Sequence, residues 1–336
     1  MVSYVNKTIL APMVRCCTLP FRLLALHYGA DIAYSEETID HKIVRCTRVD
    51  NTALGTVDIV NNNNCNRNSN KNNNNNRNNV VFRTCELERG KVVFQMGTCD
   101  PERALKAAKI LEKDVSGLDI NMGCPKEFSI QGGMGAALLT KPDQVDKILR
   151  TLVSGLSIPV TCKIRILPEL EDTLNLVKMI EKTGVKAIGV HGRMKEERSS
   201  QPCHDDVIAK VAQTVNIPVI ANGGSKDIKK YEDIATFKTN TGCSSVMLAR
   251  AAQWDPSVFR KEGCLPLLEV MREYTKFAVR YDSNVHSIKY ALGKMMKNSS
   301  NGQKPELSQK LHGAKDIENI CLILNMHDYW LSLRDR

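Results

Sequence analysis

Eight short apolar segments, each followed by polar residues, constrain the fold of this chain more than any other feature. They occupy residues 8–14, 32–37, 91–97, 117–123, 158–163, 187–193, 217–222 and 245–250. Helical patterns lie between them, such as the apolar stripe of Leu170, Leu174, Val177 and Ile180. Strands that alternate with helices form parallel sheets, and eight of them favour closure. The sequence therefore predicts an α/β fold, a (β/α)8 TIM barrel, which needs about 250 residues.

The pattern changes in two places. After about residue 262, helical patterns at 267–280, 286–297 and 314–324 follow one another without strands. We therefore expect residues 1–262 to form the barrel and residues 263–336 a small C-terminal all-helical domain. Residues 61–79 are mostly Asn. Because such a tract has too little apolar surface to bury, we predict a disordered insert there.

Charge and cysteine content limit the class of protein. The formal net charge is +10, which favours an anionic partner such as nucleic acid, although solubility alone also explains it. No apolar run approaches the ~18 residues that span a bilayer, and the first residues do not resemble a signal peptide. We expect a cytosolic or nuclear protein without a membrane partner. The 12 cysteines include no C-x-x-C pair, so we expect reduced thiols and no metal site.

In a barrel of this kind ligands bind where the strands end. The strand-end polar residues are Glu37, Gln95, Asn121, Cys124, Lys163, His191, Asn222 and Arg250. Any one of them alone is more often structural, but the convergence of eight on one rim favours a binding site. The loops at 222–225 and 249–251 follow the last two strands, where barrels commonly hold a phosphate.

Cys124 lies in the run Asn121-Met122-Gly123-Cys124-Pro125-Lys126, directly after a strand. A free thiol has a pKa near 8.5, so at neutral pH it is mostly protonated and can act as a general acid. Action as a nucleophile requires an activating base, and a buried inert cysteine is the structural alternative. The position at a strand end favours a chemical role.

Seven motifs together resemble the tRNA-dihydrouridine synthases, closest to the eukaryotic branch that acts on uridine 20. They cover nearly the whole chain outside the Asn-rich tract. They are the runs at 10–15, 93–97, 121–126, 132–136, 161–165, 190–193 and 221–224.

The resemblance implies a flavin-dependent, tRNA-modifying oxidoreductase. NADPH or NADH would reduce FMN, the flavin would pass a hydride to uracil C6, and Cys124 would protonate C5 of a D-loop uridine, U20. The FMN site would comprise Pro12, Met13, Val14, Glu37, Gln95, Lys163, His191, Asn222, Gly223, Gly224, Ala249 and Arg250. Asn121, Arg165 and Arg193 would face the uracil or the RNA. The enzyme would be a monomer that binds tRNA.

Three departures from the family pattern stand out. Cys16-Cys17 replaces a small apolar residue and Gly, so we expect a rearranged first loop. The Asn-rich tract is foreign to the pattern. The double-stranded-RNA-binding domain that animal relatives add is absent from this sequence, so either the barrel and helical domain suffice for tRNA or another factor contributes.

Two other functions remain open at this point. An FMN barrel oxidoreductase acting on a small pyrimidine, similar to dihydroorotate dehydrogenase, also places a Cys-Pro pair after a strand. Activity on free pyrimidines would favour it. An inactive barrel kept as an RNA-binding module is the third hypothesis, and the intact Cys124 argues against it.

Overall fold

The computed structural model describes residues 2–62, 79–297 and 305–334. The strands are β1 (Thr8–Leu10), β2 (Ile32–Tyr34), β3 (Thr38–Ile39), β4 (Cys46–Asn51), β5 (Thr56–Asn61), β6 (Val80–Cys85), β7 (Val92–Gly97), β8 (Gly117–Met122), β9 (Val160–Arg165), β10 (Ile188–His191), β11 (Val219–Asn222) and β12 (Ser245–Leu248). The helices are α1 (Leu19–His27), α2 (Asp40–Ile43), α3 (Pro101–Leu111), α4 (Glu127–Gln131), α5 (Pro142–Gly155), α6 (Leu170–Glu181), α7 (Asp205–Thr214), α8 (Tyr231–Thr241), α9 (Arg250–Trp254), α10 (Leu267–Arg280), α11 (Val285–Lys297), α12 (Pro305–Gly313), α13 (Ile317–Ile323) and α14 (His327–Arg334).

Eight parallel strands close into a barrel in the order β1, β2, β7, β8, β9, β10, β11, β12. The barrel closes where Leu10 of β1 pairs with Leu248 of β12. β2 pairs directly with β7, although a small separate sheet lies between these two strands in the chain. Helices connect most of the consecutive barrel strands. The prediction of a (β/α)8 TIM barrel is confirmed.

The barrel interior follows from the two-residue period of each strand. Ile9, Tyr34, Val93, Ile220 and Met247 are almost fully buried and form one apolar cluster. Two residues further along, the same inward face carries Gln95 in β7 and Asn222 in β11. These strands therefore deliver apolar packing to the barrel centre and a polar group to the rim where they end.

A three-stranded antiparallel sheet of β4, β5 and β6 lies between β2 and β7 in the chain. Strand β6 begins with the apolar residues Val80, Val81 and Phe82, which are typical of a strand. The two preceding strands were not predicted, because β4 exposes four of its six residues and has no apolar alternation. Most of the predicted Asn-rich insert, residues 63–78, lies outside the described residues.

Two arginine–carboxylate pairs hold this sheet against the barrel. Arg22 of α1 donates to both oxygens of Glu88, which follows β6, at 2.8 and 2.6 Å. Both side chains are almost completely buried. Arg83 donates to Asp58 within the sheet and to the carbonyl oxygen of Tyr281. The sheet is thereby tied to α1 and to the C-terminal end of α10.

The helices after residue 266 pack onto the barrel wall. Phe21 of α1 meets Tyr274 of α10 edge to face at 6.0 Å. Buried residues of α10, α11 and α13 belong to the same apolar cluster as the barrel helices. Helix α10 has the bounds predicted for it, the expected helix at 314–324 is the shorter α13, and α12 and α14 were missed. The domain boundary at 262/263 stays a prediction.

Candidate active site

The polar residues at the strand ends share one rim because their strands are parallel and in register. Gln95 pairs with Asp119, Asn121 with Lys163, and His191 with both Arg165 and Asn222. These neighbours therefore sit side by side around the barrel mouth.

The loop that carries Cys124 is held by Asn121. Asn121 Oδ1 accepts hydrogen bonds from the backbone N–H groups of Gly123 and Cys124 at 2.9 and 3.0 Å. The Cys124 carbonyl oxygen accepts from Ala136 N at 2.9 Å. Gly135, at φ +59°, allows this close approach, since a Cβ there would lie 2.6 Å from the Cys124 carbonyl oxygen. The thiol therefore sits on a loop fixed from both sides.

The Cys124 thiol keeps its proton at neutral pH. Burial, and then the negative charge of Glu37, raise its pKa above the ordinary thiol value. Burial also raises the pKa of the Glu37 carboxyl group. Glu37 Oε1 is buried and accepts no hydrogen bond within the described part of the chain. A protonated thiol beside an unused buried acceptor suits a general acid next to a ligand.

Lys163 and His191 bring cationic and neutral donors to the mouth. Burial, and then the charge of Arg165, lower the pKa of Lys163 to about 8. Burial and the neighbouring cations, Lys163 first, hold the pKa of His191 far below its usual range. Arg193 Nη1 lies 3.2 Å from His191 Nε2. Because a guanidinium can only donate, this contact assigns the proton of neutral His191 to Nδ1.

Two arginines tie the loops of the rim together. Arg165 donates to the carbonyl oxygens of Gly123 and Met194 at 2.8 and 2.9 Å. Arg193 is 3% exposed. It donates to the carbonyl oxygens of Gln201 and Gly223. These bonds favour a loop-holding role for both arginines, and the predicted contact of Arg165 and Arg193 with substrate stays a prediction.

The loops after β11 and β12 form the cationic side of the mouth. Asn222 is buried and donates to the Met247 carbonyl oxygen at 2.8 Å. Gly223 adopts φ +136°, and a Cβ there would lie 2.3 Å from Cys203 Sγ. Gly224 packs as closely on the Phe237 ring. Arg250, half-buried at the start of α9, forms no ion pair among the described residues.

The remaining predicted cofactor residues border the same mouth. Pro12, Met13 and Val14 follow β1, with Val14 45% exposed. The Met13 carbonyl oxygen accepts hydrogen bonds from Cys16 N and Cys17 N, and both cysteines are fully buried in the turn that they form. Ala249 directly precedes α9.

Asp119 was missed at the sequence level. It is 1% exposed and accepts hydrogen bonds from Gln95 Nε2 at 2.9 Å and Thr161 Oγ1 at 2.7 Å. Burial raises the pKa of its carboxyl group to about 6. The two-residue spacing from Asn121 on one strand was the signal that could have found it, since it places both side chains on the inward face.

Two features, a metal-ligand cluster and a membrane-spanning helix, are absent from the residues that the structure describes. No group of three or more His, Cys, Asp or Glu side chains in those ranges is arranged to hold a metal ion. No helix within them is long and apolar enough to cross a bilayer.

Comparison with known proteins agrees with this geometry. Residues 9–306 match the family model "Dihydrouridine synthase (Dus)". The tRNA-dihydrouridine(20) synthase of Schizosaccharomyces pombe is 36% identical over 337 residues, which cover 97% of this chain and 67% of that protein. The enzyme of the same name from Saccharomyces cerevisiae is 39% identical over 314 residues, covering 89% and 79%. A tRNA-dihydrouridine(20a/20b) synthase of S. pombe is 32% identical, with coverage of 86% and 78%. The chain therefore belongs to the dihydrouridine synthase family.

Proposed function

We propose that this enzyme reduces a uridine of the tRNA D-loop, U20, to 5,6-dihydrouridine. The observation that carries the proposal is the protonated thiol of Cys124, held at the barrel mouth beside Asn121, Lys163 and His191. Two similar proteins carry the name tRNA-dihydrouridine(20) synthase [NAD(P)+], which supports position 20 and a nicotinamide reductant.

The residues at the mouth fit FMN. The cations Lys163, Arg165, Arg193 and Arg250 form no ion pair among the described residues, so the mouth has net positive charge to offer an anion. The sharp turn at Gly223 and the side chain of Arg250 follow the last two strands, the usual phosphate position in barrels. Gln95, Asn121 and Lys163 provide donors and acceptors for the edge of a flavin ring. When bound, FMN supplies the hydride for uracil C6.

The chain's own residues supply the proton and the positions of the reactants. Cys124 holds a proton that its raised pKa keeps in place until C5 of the uracil accepts it. Lys163, with a positive charge and a pKa of about 8, stabilises negative charge that develops on the reacting rings. Neutral His191 offers its Nδ1–H as a donor. Asn121 accepts hydrogen bonds from the backbone of the Cys124 loop and so fixes the position of the thiol at the barrel mouth.

Several exposed groups can bind the RNA around the target base. A groove of about 860 Å³ runs from the ends of β1 and β2 to α11, with Arg15, His286 and Lys289 among its lining residues. Phe128, 56% exposed, lies four residues after Cys124. A base within folded RNA must be turned out to reach Cys124, and phosphate contacts supply most of the affinity for such a substrate.

Site-resolved mapping of dihydrouridine tests the proposal. Unmodified tRNA is incubated with the purified protein, FMN and NADPH, and each D-loop position is read. We expect reduction at U20 alone. Reduction of free uracil or orotate with no product in tRNA would replace the proposal by the small-pyrimidine oxidoreductase. A protein that carries flavin, oxidises NADPH and modifies neither substrate would also contradict it.

A further inference from the structure

A chain of hydrogen bonds leads from the barrel interior to the Cys124 loop. Gln95 Nε2 donates to Asp119 Oδ2 at 2.9 Å, and Asn121 Nδ2 donates to Gln95 Oε1 at 3.4 Å. Asn121 Oδ1 then accepts from the backbone N–H groups of Gly123 and Cys124. Three side chains from two neighbouring strands thus connect a buried carboxylate to the loop.

The charge of Asp119 decides which group donates and which accepts in each of these hydrogen bonds. An ionised carboxylate can only accept, so Gln95 must present its NH2 group to Asp119 and its carbonyl oxygen to Asn121. That oxygen in turn requires the NH2 group of Asn121, which leaves Asn121 Oδ1 for the loop. The two backbone N–H groups can only donate, so they require the same orientation of Asn121. The Gln95 amide has no such preference by itself, because its oxygen and nitrogen ends have nearly the same shape.

Asp119 is ionised at neutral pH, because burial raises the pKa of its carboxyl group only to about 6. Thr161 Oγ1 donates to its second oxygen at 2.7 Å, and Lys163 on the same strand as Thr161 contributes a positive charge. Asp119 and Gln95 are 1% and 2% exposed, so water does not compete for these bonds. The other ionisable groups near Asp119 are Tyr4, Tyr34, Cys162 and Glu37. Burial keeps the two phenols and the Cys162 thiol neutral, and burial, with a smaller contribution from the charge of Asp119, raises the pKa of Glu37.

We propose that Asp119 is a positioning residue, whose carboxylate fixes the orientation of the Gln95 and Asn121 amides and so holds Cys124 in its working position. The proposal rests on the proposed function for its catalytic meaning. The proposal also predicts which groups face the ligand. In this orientation Gln95 and Asn121 present a defined pattern of donors and acceptors at the barrel mouth.

Chemical labelling of Cys124 tests the proposal independently of catalysis. Asp119→Asn offers Gln95 either a donor or an acceptor, so the Gln95 amide can turn and present its NH2 group to that of Asn121, which weakens the hold of Asn121 on the loop. We expect iodoacetamide to alkylate Cys124 about fivefold faster or more in this variant at pH 8, measured by peptide mass spectrometry, since local opening sets access to the thiol. Cys99, half-buried after β7 and outside the chain of bonds, is the internal reference and keeps its rate. Dihydrouridine formation falls about tenfold or more.

Two further variants decide the result. Gln95→Met, which has a similar volume and no amide, should reproduce the faster labelling, and the double variant should add less than about twofold because both changes break one chain. Gln95→Met also tests the proposal if Asp119→Asn fails to fold. Cys162→Ala, a buried change on the outer face of β9, should leave labelling within about twofold of wild type.

Two results would overturn the proposal: equal Cys124 labelling in wild type and Asp119→Asn, or the same acceleration in Cys162→Ala. Because labelling needs no turnover, it gives an answer even if the wild-type protein does not reduce tRNA, which would be a failure of the proposed function alone.

Discussion

Cys124 is the residue whose side chain we expect to give its proton to the substrate. Replacement by Ala removes that proton while the loop keeps its backbone bonds to Asn121. Cys124→Ala should therefore retain flavin at wild-type stoichiometry and lose about 10²–10⁴-fold in the rate of dihydrouridine formation. Flavin absorbance and product mapping check both parts, with Cys99→Ala as the control. Undiminished product formation by Cys124→Ala would remove the assigned acid.

Asp119 should make the stability of the protein depend on pH. Its pKa is raised from 3.8 to about 6, so the folded state disfavours the charged form. Stability is then gained as the pH falls from about 6 to about 4, and lost as the pH rises through the same window. The full effect of such a shift is about 3 kcal/mol. Lys163 keeps its charge over this window. His191 stays neutral in the folded protein but is protonated below about 6.5 in the unfolded chain, so it contributes an opposite pH dependence that wild type and an Asp119 variant share.

Comparison of wild type with Asp119→Asn isolates this effect. The free energy of unfolding, from urea titrations between pH 4 and pH 7, should rise for wild type relative to the variant as the solution becomes more acidic. A difference that is constant with pH, or one that shrinks toward pH 4, would show that Asp119 does not titrate near 6 in the folded protein.

The loop between β8 and α5 depends on a contact that only glycine permits. At Gly135 a Cβ would lie 2.5 Å from Ser129 Oγ and 2.6 Å from the Cys124 carbonyl oxygen, and φ is +59°. Gly135→Ala should destabilise the fold by about 2–4 kcal/mol and lower kcat by displacing the Cys124 loop. Gly242 also has φ +59° but no atom within 4 Å of a Cβ, so Gly242→Ala is a matched control.

In the Gly242→Ala control we expect a loss of about 1–2 kcal/mol from backbone strain and an unchanged kcat. Thermal melts report the loss of stability that backbone strain causes, and steady-state kinetics report any displacement of the Cys124 loop. Equal effects of the two substitutions on kcat would mean that the close approach at Gly135 does not hold the catalytic loop.

The small sheet and α1 share the buried pair Arg22–Glu88. Its side chains are 2% and 0% exposed, so removal of one partner leaves an uncompensated buried charge. Glu88→Gln should lower the free energy of unfolding by about 3–5 kcal/mol. The Arg89–Glu86 pair beside it is 76% and 77% exposed, and Glu86→Gln should change stability by about 0–1 kcal/mol. Chemical denaturation compares the two, and similar losses would contradict the burial argument.

The strands of the barrel could be predicted from the sequence because each is a short, mainly apolar segment that ends in polar residues or glycine, and the Cys124 loop because its motif is specific. β4 and β5 could not, since their pairing partners rather than their own residues decide that they are strands. The role of Arg193 could not be predicted either, because its hydrogen bonds to Gln201 and Gly223 join two loops whose proximity the sequence does not indicate.

At the scale of the whole molecule, the net charge of +10 should govern the encounter with tRNA. We expect the KM for tRNA to rise by about 10³-fold or more between 50 and 200 mM salt, as for proteins that make six or more phosphate contacts. NADPH oxidation with a small artificial electron acceptor should change little, because it needs no RNA. A KM for tRNA that is insensitive to salt would mean that recognition does not depend on phosphate contacts.

The small sheet also has a consequence for how this gene can change over time. Val60 of β5 is paired with Val80 of β6, so the two ends of the connection between these strands are fixed at neighbouring positions of the sheet. Lengthening a connection between fixed ends changes the folding free energy slowly, by about 0.6 kcal/mol for each doubling. Insertions and deletions of residues in this connection should therefore change the stability of the barrel only slightly, so its length can vary across generations while the Cys124 site is kept.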